Sequence, residues 1–243
     1  MSSTKIHVGT AGWSLPRAEQ HRFPAGTSHL ARYSKLLPAA EINSTFHRPH
    51  RASTFERWAQ SVPAGFRFSV KMPRTITHEA RLAGATPLVE AFLADLAPLG
   101  SRVGCLLVQL PPSLALDARV AGAFFEALRK RWTRGLAVEP RHASWFTAGA
   151  EALLERLHVA RVAADPPRAQ RGGEPGGWRG LAYFRLHGFP RVYYSSYEDE
   201  FLDALAEKLL SLRRRRVPTW CIFDNTTLGA GTANALSILQ RLE

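Results

Sequence analysis

Short apolar segments that end in a polar or charged residue recur along this chain. We predict strands near residues 5–10, 38–43, 66–71, 103–109, 136–139, 159–164, 182–187 and 219–224. Segments in which apolar residues recur with helical spacing separate most of them. Strands that alternate with helices predict a parallel sheet in an α/β fold. Eight such units predict a TIM-type (β/α)8 barrel, although an open doubly wound sheet has the same local pattern.

Two of the predicted strands have one apolar and one polar face. Their polar faces carry Arg67, Ser69 and Lys71 in one strand, and Tyr183, Arg185 and His187 in the other. Because successive side chains of a strand point to opposite faces, helices would cover the apolar face and the polar face would point into the barrel. Barrel enzymes build their active sites at the carboxyl ends of the strands. We therefore expect a functional site at that mouth.

One predicted unit is irregular. Residues 166–180 are so rich in glycine and proline that a regular helix cannot form there. The sequence therefore predicts a barrel in which one unit lacks its helix. The segment follows Asp165 at the expected active mouth, so it could be a mobile lid or a simple surface loop, and both interpretations stay open.

Length and cysteine content suggest an ordinary barrel protein. A chain of 243 residues suits one domain over residues 1–243. The amino terminus does not resemble a signal peptide, and no apolar run is long enough to cross a bilayer, so we expect no membrane partner. Cys105 and Cys221 both fall in predicted buried strands. Two distant thiols indicate neither a disulfide framework nor a zinc site, and a reducing cytoplasm is the expected location.

The net charge is less ordinary. The chain has 32 Lys and Arg against 20 Asp and Glu, a formal charge of +12. A basic protein attracts phosphorylated metabolites and nucleic acid, so either could be a partner. The alternative is a compositional bias spread over the surface. The tightest run, Arg213–Arg216, ends a predicted helix, where cations favour the helix dipole.

Acidic and imidazole side chains at the predicted strand ends are the candidate catalytic groups. They are Glu41, Glu139, His187 and His142. Either Glu41 or Glu139 could be a general base, with His187 or His142 as the partner acid. A structural alternative is that Glu139 forms an ion pair with Arg141 that fixes the loop.

Other side chains near the strand ends are suited to binding a substrate. The candidates are Trp13, Asn43, Lys71, Gln109, Arg141, Trp145, Arg185, Tyr194 and Asn225. Lys71, Arg141 and Arg185 would hold a negative group, whereas the aromatic residues would line the pocket. For Lys71 we favour an electrostatic role over a Schiff base, because nothing in the sequence indicates a lowered pKa. Asn43 could instead satisfy backbone groups of a turn.

Several of these motifs, taken together, resemble the domain-of-unknown-function-72 family, also called the YecE-like family. The resemblance rests on residues 9–13, 41–46, 69–71, 107–112, 139–145, 185–188 and 223–226, and it covers essentially the whole chain in order. It implies a TIM-barrel-like fold and does not supply a reaction. Two positions depart from the usual family pattern: Pro140 stands where an aromatic residue is frequent, and Asp224 where Asn is frequent.

Three functions fit these observations. The leading hypothesis is a lyase, isomerase or hydrolase that acts on an anionic or polyhydroxylated small molecule without a cofactor. A second is a metal-dependent phosphoester hydrolase or nuclease, in which Mn²⁺ or Zn²⁺ would be bound by Glu139, Asp165, His187 and Asp224. The third is a non-catalytic nucleic-acid binder that uses the positive surface. A nicotinamide or P-loop nucleotide site has no fingerprint in the sequence.

Overall fold

The structure is a computed structural model that describes residues 6–243. In that range the strands are β1 (Ile6–Ala11), β2 (Ala39–Ile42), β3 (Arg67–Lys71), β4 (Val103–Gln109), β5 (Gly135–Glu139), β6 (Ala160–Arg161), β7 (Ala163–Asp165), β8 (Gly176–Gly177), β9 (Ala182–Leu186) and β10 (Thr219–Phe223). The helices are α1 (His29–Tyr33), α2 (Ala52–Gln60), α3 (Thr86–Leu96), α4 (Ala118–Arg129), α5 (Ala148–Arg156), α6 (Asp199–Arg214) and α7 (Ala230–Arg241). Residue 5, where we predicted the first strand to begin, lies outside the described residues.

The strands form an α/β barrel of the predicted TIM type. One sheet has the order β7-β9-β10-β1-β2-β3-β4-β5-β6-β8. β6 pairs in parallel with β5, and β7 pairs in parallel with β9. Only Val162 separates β6 from β7, and its N–H donates to Val138 O at 2.9 Å. Residues 160–165 therefore act as one strand that joins both ends of the sheet. With β6 and β7 counted as one, the barrel has eight parallel strands, which we call its staves.

The irregular unit has the character that its composition predicts. Between β7 and β9 the chain forms turns and the short strand β8, which pairs antiparallel with β6, and it contains no helix. Gly172 O accepts from Ala164 N at 2.9 Å, and Gly177 pairs with Ala160. The segment therefore runs back along the barrel wall, which favours the surface-loop interpretation over a lid across the mouth.

The core has two parts, and the division positions the site. A large apolar cluster fills the space between the staves and the surrounding helices. A smaller cluster, which includes Leu107, Trp220 and Ile222, fills the barrel interior. Above this apolar plug the inward side chains become polar, because Glu41 and Arg185 follow on the same inner faces towards the carboxyl ends. In the part of the chain that the structure describes, no helix is both long and apolar enough to span a bilayer.

Candidate active site

Arg185 is the centre of a buried network of ionised groups inside the barrel. It projects from β9, and its side chain is 1% exposed. Its Nη2 donates to Glu41 Oε1 at 2.7 Å, and its Nε lies 3.1 Å from Glu41 Oε2. Its Nη1 donates to Glu139 Oε2 at 3.2 Å, and its Nη2 lies 3.0 Å from Asp224 Oδ2. One guanidinium therefore links carboxylates at the ends of β2, β5 and β10.

His187 completes the network on the side nearer the mouth. Its Nε2 lies 2.8 Å from Glu139 Oε1, and its Nδ1 lies 3.1 Å from Asp224 Oδ2. With an acceptor at each ring nitrogen, the imidazole is suited to carry two protons and a positive charge. Arg141 Nη2 also donates to Glu139 Oε1, at 3.2 Å. The ion pair between Glu139 and Arg141 that the sequence suggested is therefore present.

The pKa values of these groups favour the ionised state. Burial alone would raise the pKa of Glu139, but Arg185 and His187 more than offset it and hold that pKa far below its usual range. Burial alone would lower the pKa of His187, but Glu139 and the hydrogen bond to Asp224 raise it above its ordinary value. The pKa of Asp224 is lowered, because Arg185 and His187 outweigh the effect of burial. The network is thus a set of mutually compensating charges.

The free energy of unfolding should depend on whether His187 is charged. Because its folded-state pKa lies above the ordinary 6.5, the stabilising charge is fully present below pH 6.5 and is lost as pH rises through the folded-state pKa. We expect His187→Gln to cost about 1–2 kcal/mol at pH 6, and the cost to shrink as pH rises. Urea denaturation at a series of pH values measures this difference. His21→Gln, at an exposed site, is the control, and a pH-independent cost for His187→Gln would contradict the assignment.

The network constrains the catalytic roles that we predicted for Glu41 and Glu139. Glu41 is fully buried, and its two oxygens accept from Arg185, with the Tyr183 hydroxyl 2.9 Å from Oε2. Both Glu139 oxygens also have donors. A general base needs a lone pair that reaches the substrate. In this structure these carboxylates instead position cations below the cavity.

A cavity of about 520 Å³, which we call the mouth cavity, opens above the network at the carboxyl ends of the strands. Its wall carries more basic than acidic groups. The lining residues are Asn43, Phe46, His47, Lys71, Arg74, His78, Gln109, Tyr193, Asp224, Thr226 and Thr227. The volume lies within the range of small-molecule sites. Hydroxyl and amide groups beside the cations suit a ligand that is both anionic and hydroxylated.

Lys71 is the distinctive cation of this cavity. It ends β3 and is 6% exposed, and its ammonium lies 4.0 Å from the centroid of the Phe46 ring. Among the described side chains, no carboxylate forms a salt bridge with it. Burial, and next the charge of Arg185, lower its pKa from 10.5 to about 8. An ammonium that is buried without a counter-ion is poised to bind an anion.

The structure brings together some predicted binding residues and separates others. Asn43, Lys71 and Gln109 share the mouth cavity, and the Asn43 Oδ1 is buried without a hydrogen-bond partner within residues 6–243. Arg185 and Arg141 do not line this cavity, and both are bound to carboxylates. Asn225 is fully buried and donates to Ser195 O at 2.8 Å and Asn234 Oδ1 at 2.9 Å. Its amide thus joins the loop at Ser195 to α7.

Three predicted aromatic wall residues and His142 do not line the mouth cavity. Trp145 is 1% exposed and donates from Nε1 to Leu114 O at 3.0 Å. Trp13 packs edge-on against Trp58, with ring centroids 4.9 Å apart. The ring of Tyr194 is covered by the Arg191 guanidinium at 3.8 Å. The imidazole of His142 accepts from the Ser144 backbone N–H at 3.2 Å and so caps a short helical turn.

The predicted metal ligands do not form a common site. Asp165 Oδ1 accepts from the Tyr197 hydroxyl at 2.9 Å. Glu139, His187 and Asp224 are bonded to one another and to Arg185. Within residues 6–243, no group of three or more His, Cys, Asp and Glu side chains could hold a metal ion. The donor set therefore does not fit Mn²⁺ or Zn²⁺.

Several cavity residues were missing from our sequence-based set. Phe46, Arg74 and Tyr193 come from loops after β2, β3 and β9. Tyr193 has a φ of +71°, its N–H donates to His187 O at 2.5 Å, and its ring meets His187 edge-on at 5.7 Å. A positive φ is rare for tyrosine and leaves no signal in the sequence. Proximity to the polar strand ends was the only available indication.

An eight-stave α/β barrel with a cationic cavity at the carboxyl ends of its strands defines the class of protein. The chain belongs to the family described as "Protein of unknown function DUF72", whose family model matches residues 7–243. The YecE-like resemblance seen in the motifs is thereby confirmed.

Relatives support the same assignment. UPF0759 protein YecE of Escherichia coli (strain K12) is 31% identical over 166 residues, which are 66% of this chain and 59% of YecE. The chain thus spans little more than half the length of that relative. UPF0759 protein YunF of Bacillus subtilis (strain 168) is 22% identical, and the match covers 98% of this chain and 95% of YunF.

Solved structures of the family share the fold. The crystal structure of a DUF72 family protein from Thermotoga maritima MSB8 has a TM-score of 0.77 at 27% identity and covers 98% of both chains. A DUF72 family protein from Enterococcus faecalis V583 has a TM-score of 0.80 at 21% identity, covering 98% of this chain and 95% of its own. The second likeness concerns the fold alone.

Proposed function

We propose that this protein is an enzyme that binds a small phosphorylated or carboxylated, hydroxylated molecule in the mouth cavity and converts it by acid–base chemistry. The observation that carries the proposal is the buried ammonium of Lys71, which has no salt-bridge partner among residues 6–243 and lies in the wall of a cavity of about 520 Å³. A cationic cavity concentrates anions. Arg74 also lines this cavity, where it forms an exposed ion pair with Glu79 at 3.1 Å.

Lys71 and His78 supply the proton-transfer pair in this proposal. The pKa of Lys71 is lowered to about 8, so near neutral pH its ammonium is a competent proton donor. Burial, and then the charge of Lys71, lower the pKa of His78 below 6.5, so its imidazole is neutral and can accept a proton. Two groups of opposite protonation state on one cavity wall are the arrangement that acid–base enzymes use. This pair replaces Glu41, Glu139 and His142 in those roles.

Anion affinity should depend on pH through Lys71. The charged or titratable groups that act on it or line its cavity are Arg185, Glu41, Glu139, Asp224, His47, Arg74 and His78. Because only the ammonium form attracts an anion, affinity should fall by about tenfold per pH unit above pH 8 and level off below it. Sulfate is a suitable probe, since its charge is constant in this range. Calorimetric titration from pH 7 upwards measures the effect, and a flat profile would reject the role of Lys71.

A ligand screen tests the function itself. Thermal-shift measurements against phosphorylated and carboxylated metabolites should find compounds that stabilise the wild-type protein, and binders that are turned over would give the reaction. A short single-stranded oligonucleotide belongs in the same screen. Salt-sensitive oligonucleotide binding that survives Lys71→Met, with no small-molecule binder, would favour the non-catalytic nucleic-acid alternative.

A further inference from the structure

A second, larger cavity lies at the opposite end of the barrel. Its volume is about 860 Å³, and residues at the amino ends of the strands surround it. His7 in β1, Gly104 in β4 and Gly135 in β5 belong to this set. The mouth cavity is formed at the carboxyl ends of the same strands. The two spaces are therefore separated by the apolar plug and the buried ionic network.

The rim of this amino-end cavity is strongly cationic. Five basic residues and one acidic residue line it: Arg67, Arg129, Lys130, Arg134, Arg156 and Glu126. Glu126 forms a 3.2 Å ion pair with Arg156. For the other four cations, the part of the chain that the structure describes provides no carboxylate within salt-bridge distance. Such an excess of one charge around a concave space attracts an oppositely charged ligand.

Arg129 is the cation of this cavity that is best positioned to bind an anion. It is only partly exposed, and burial lowers its pKa. Its Nη1 donates to Arg134 O at 2.7 Å and to Trp132 O at 3.3 Å, its Nε donates to Leu157 O at 3.3 Å, and its Nη2 donates to His158 O. These carbonyls orient the guanidinium but do not neutralise it, and one of its five N–H groups is left for a ligand.

The inner wall of the cavity is aromatic and firmly held. The Trp220 ring lies 4.5 Å from the His7 ring and is stacked with Tyr183 at 6.1 Å. Trp178 also lines the cavity, with its ring 5.2 Å from that of His158. Aromatic walls favour flat apolar groups, which they contact at offset-stacked or edge-on geometry.

We propose that the amino-end cavity is a second binding site, and that its ligand is an organic anion with a flat aromatic ring. The aromatic body would lie against His7, Trp178 and the edge of Trp220, and the anionic group would lie at Arg129 and Arg134. The volume falls within the usual range for ligands of this size. The site does not depend on the function proposed for the mouth cavity.

The probe for this proposal is 8-anilinonaphthalene-1-sulfonate, an aromatic anion that fluoresces when bound. We expect it to bind, and we expect the double variant Lys130→Gln/Arg134→Gln to weaken its affinity by about tenfold or more. Both residues are exposed, but Arg134 also donates to Gly100 O at 2.7 Å and to Val103 O at 2.9 Å, so urea denaturation must first show that the variant is folded. Arg119→Gln/Arg214→Gln removes the same net charge from two exposed sites elsewhere and should change affinity by less than about twofold.

Two further measurements distinguish the two cavities from each other, and the anionic part of the ligand from its aromatic part. N-phenyl-1-naphthylamine, which has the same rings without the sulfonate, should bind wild-type protein much more weakly than the anionic dye. Lys71→Met, which removes the cation of the mouth cavity, should leave dye affinity unchanged. The proposal is overturned if both double variants weaken binding equally, if the neutral dye binds as well as the anion, or if Lys71→Met abolishes binding.

Discussion

Replacement of Arg185 by leucine is expected to destabilise the protein by about 3–5 kcal/mol, because it leaves a cluster of carboxylates buried without their shared counter-ion. Arg185 contacts Glu41, Glu139 and Asp224 at distances of 2.7 to 3.2 Å. These acids are at most 8% exposed. Leucine fills part of the space but supplies no charge, so repulsion among the acids is relieved only by protonation or unfolding.

The stability lost in Arg185→Leu should depend on pH in a defined direction. In the wild type the pKa of Glu139 is held low, so its stabilising contribution is present above the ordinary carboxylate pKa of 4.5 and is lost only as pH falls far below it. In Arg185→Leu the orphaned acids should take up protons more readily. The deficit of the variant should therefore shrink as pH falls towards about 5. Urea denaturation at several pH values measures both effects.

A matched variant shows whether the burial of the ion pairs decides the outcome. Arg131 pairs with Glu90 at 2.5 Å, but the two side chains are 33% and 53% exposed. Arg131→Leu should therefore cost no more than about 1 kcal/mol, with little dependence on pH. If Arg185→Leu is equally benign, the buried network is not what holds the carboxyl ends of these strands together.

The barrel could be predicted because its physical signals are local. Each stave is short and apolar on its outer face, and seven of the eight are followed by a helix of α1–α7. Residues 166–180 follow the one stave that has no helix after it, and their glycine and proline content predicted this. Closure by residues 160–165 could not be derived locally. It depends on β6 and β7 pairing with different neighbours on the two sides of Val162.

The position of the site in the fold could be predicted from the sequence, but the role of each residue in it could not. Alternation along β9 placed Arg185 and His187 on the inner face, where the structure has them. Their pairing with Glu41 and Glu139 depends on distances across the barrel, which no local pattern encodes. The depth of a residue along a stave decides whether a carboxylate faces the cavity or lies beneath it. The position of Trp145, in contact with Leu114, depends likewise on loop packing.

The buried network and the cavity above it have complementary functions in this arrangement. The carboxylates compensate Arg185 and His187, which fixes the carboxyl ends of β2, β5, β9 and β10 relative to one another. Asp224 belongs to the network and also lines the cavity. Lys71 also lies at this boundary, yet it has no salt-bridge partner of its own among residues 6–243. Its burial therefore costs free energy that no ion pair within the described residues offsets.

Lys71→Met is accordingly expected to weaken anion binding strongly and to make the protein more stable. Methionine is about as long as lysine and needs no counter-ion, so burying it avoids the desolvation that lowers the pKa of Lys71 to about 8. We expect a stability gain of about 1–3 kcal/mol near neutral pH, as is typical when a strained functional residue is replaced. Sulfate affinity should fall by about 30-fold or more, since the central cation of the site is lost.

Lys71→Arg separates charge from general damage to the site. Arginine keeps the positive charge but titrates far above pH 8, so part of the sulfate affinity should return while its loss above pH 8 disappears. Lys35→Met, at an exposed lysine, should change neither sulfate affinity nor stability by a comparable amount. Calorimetric titration and urea denaturation of all three variants measure these effects. If Lys71→Met binds sulfate like the wild type, or is less stable than it, Lys71 is a structural cation and the mouth cavity is not an anion site.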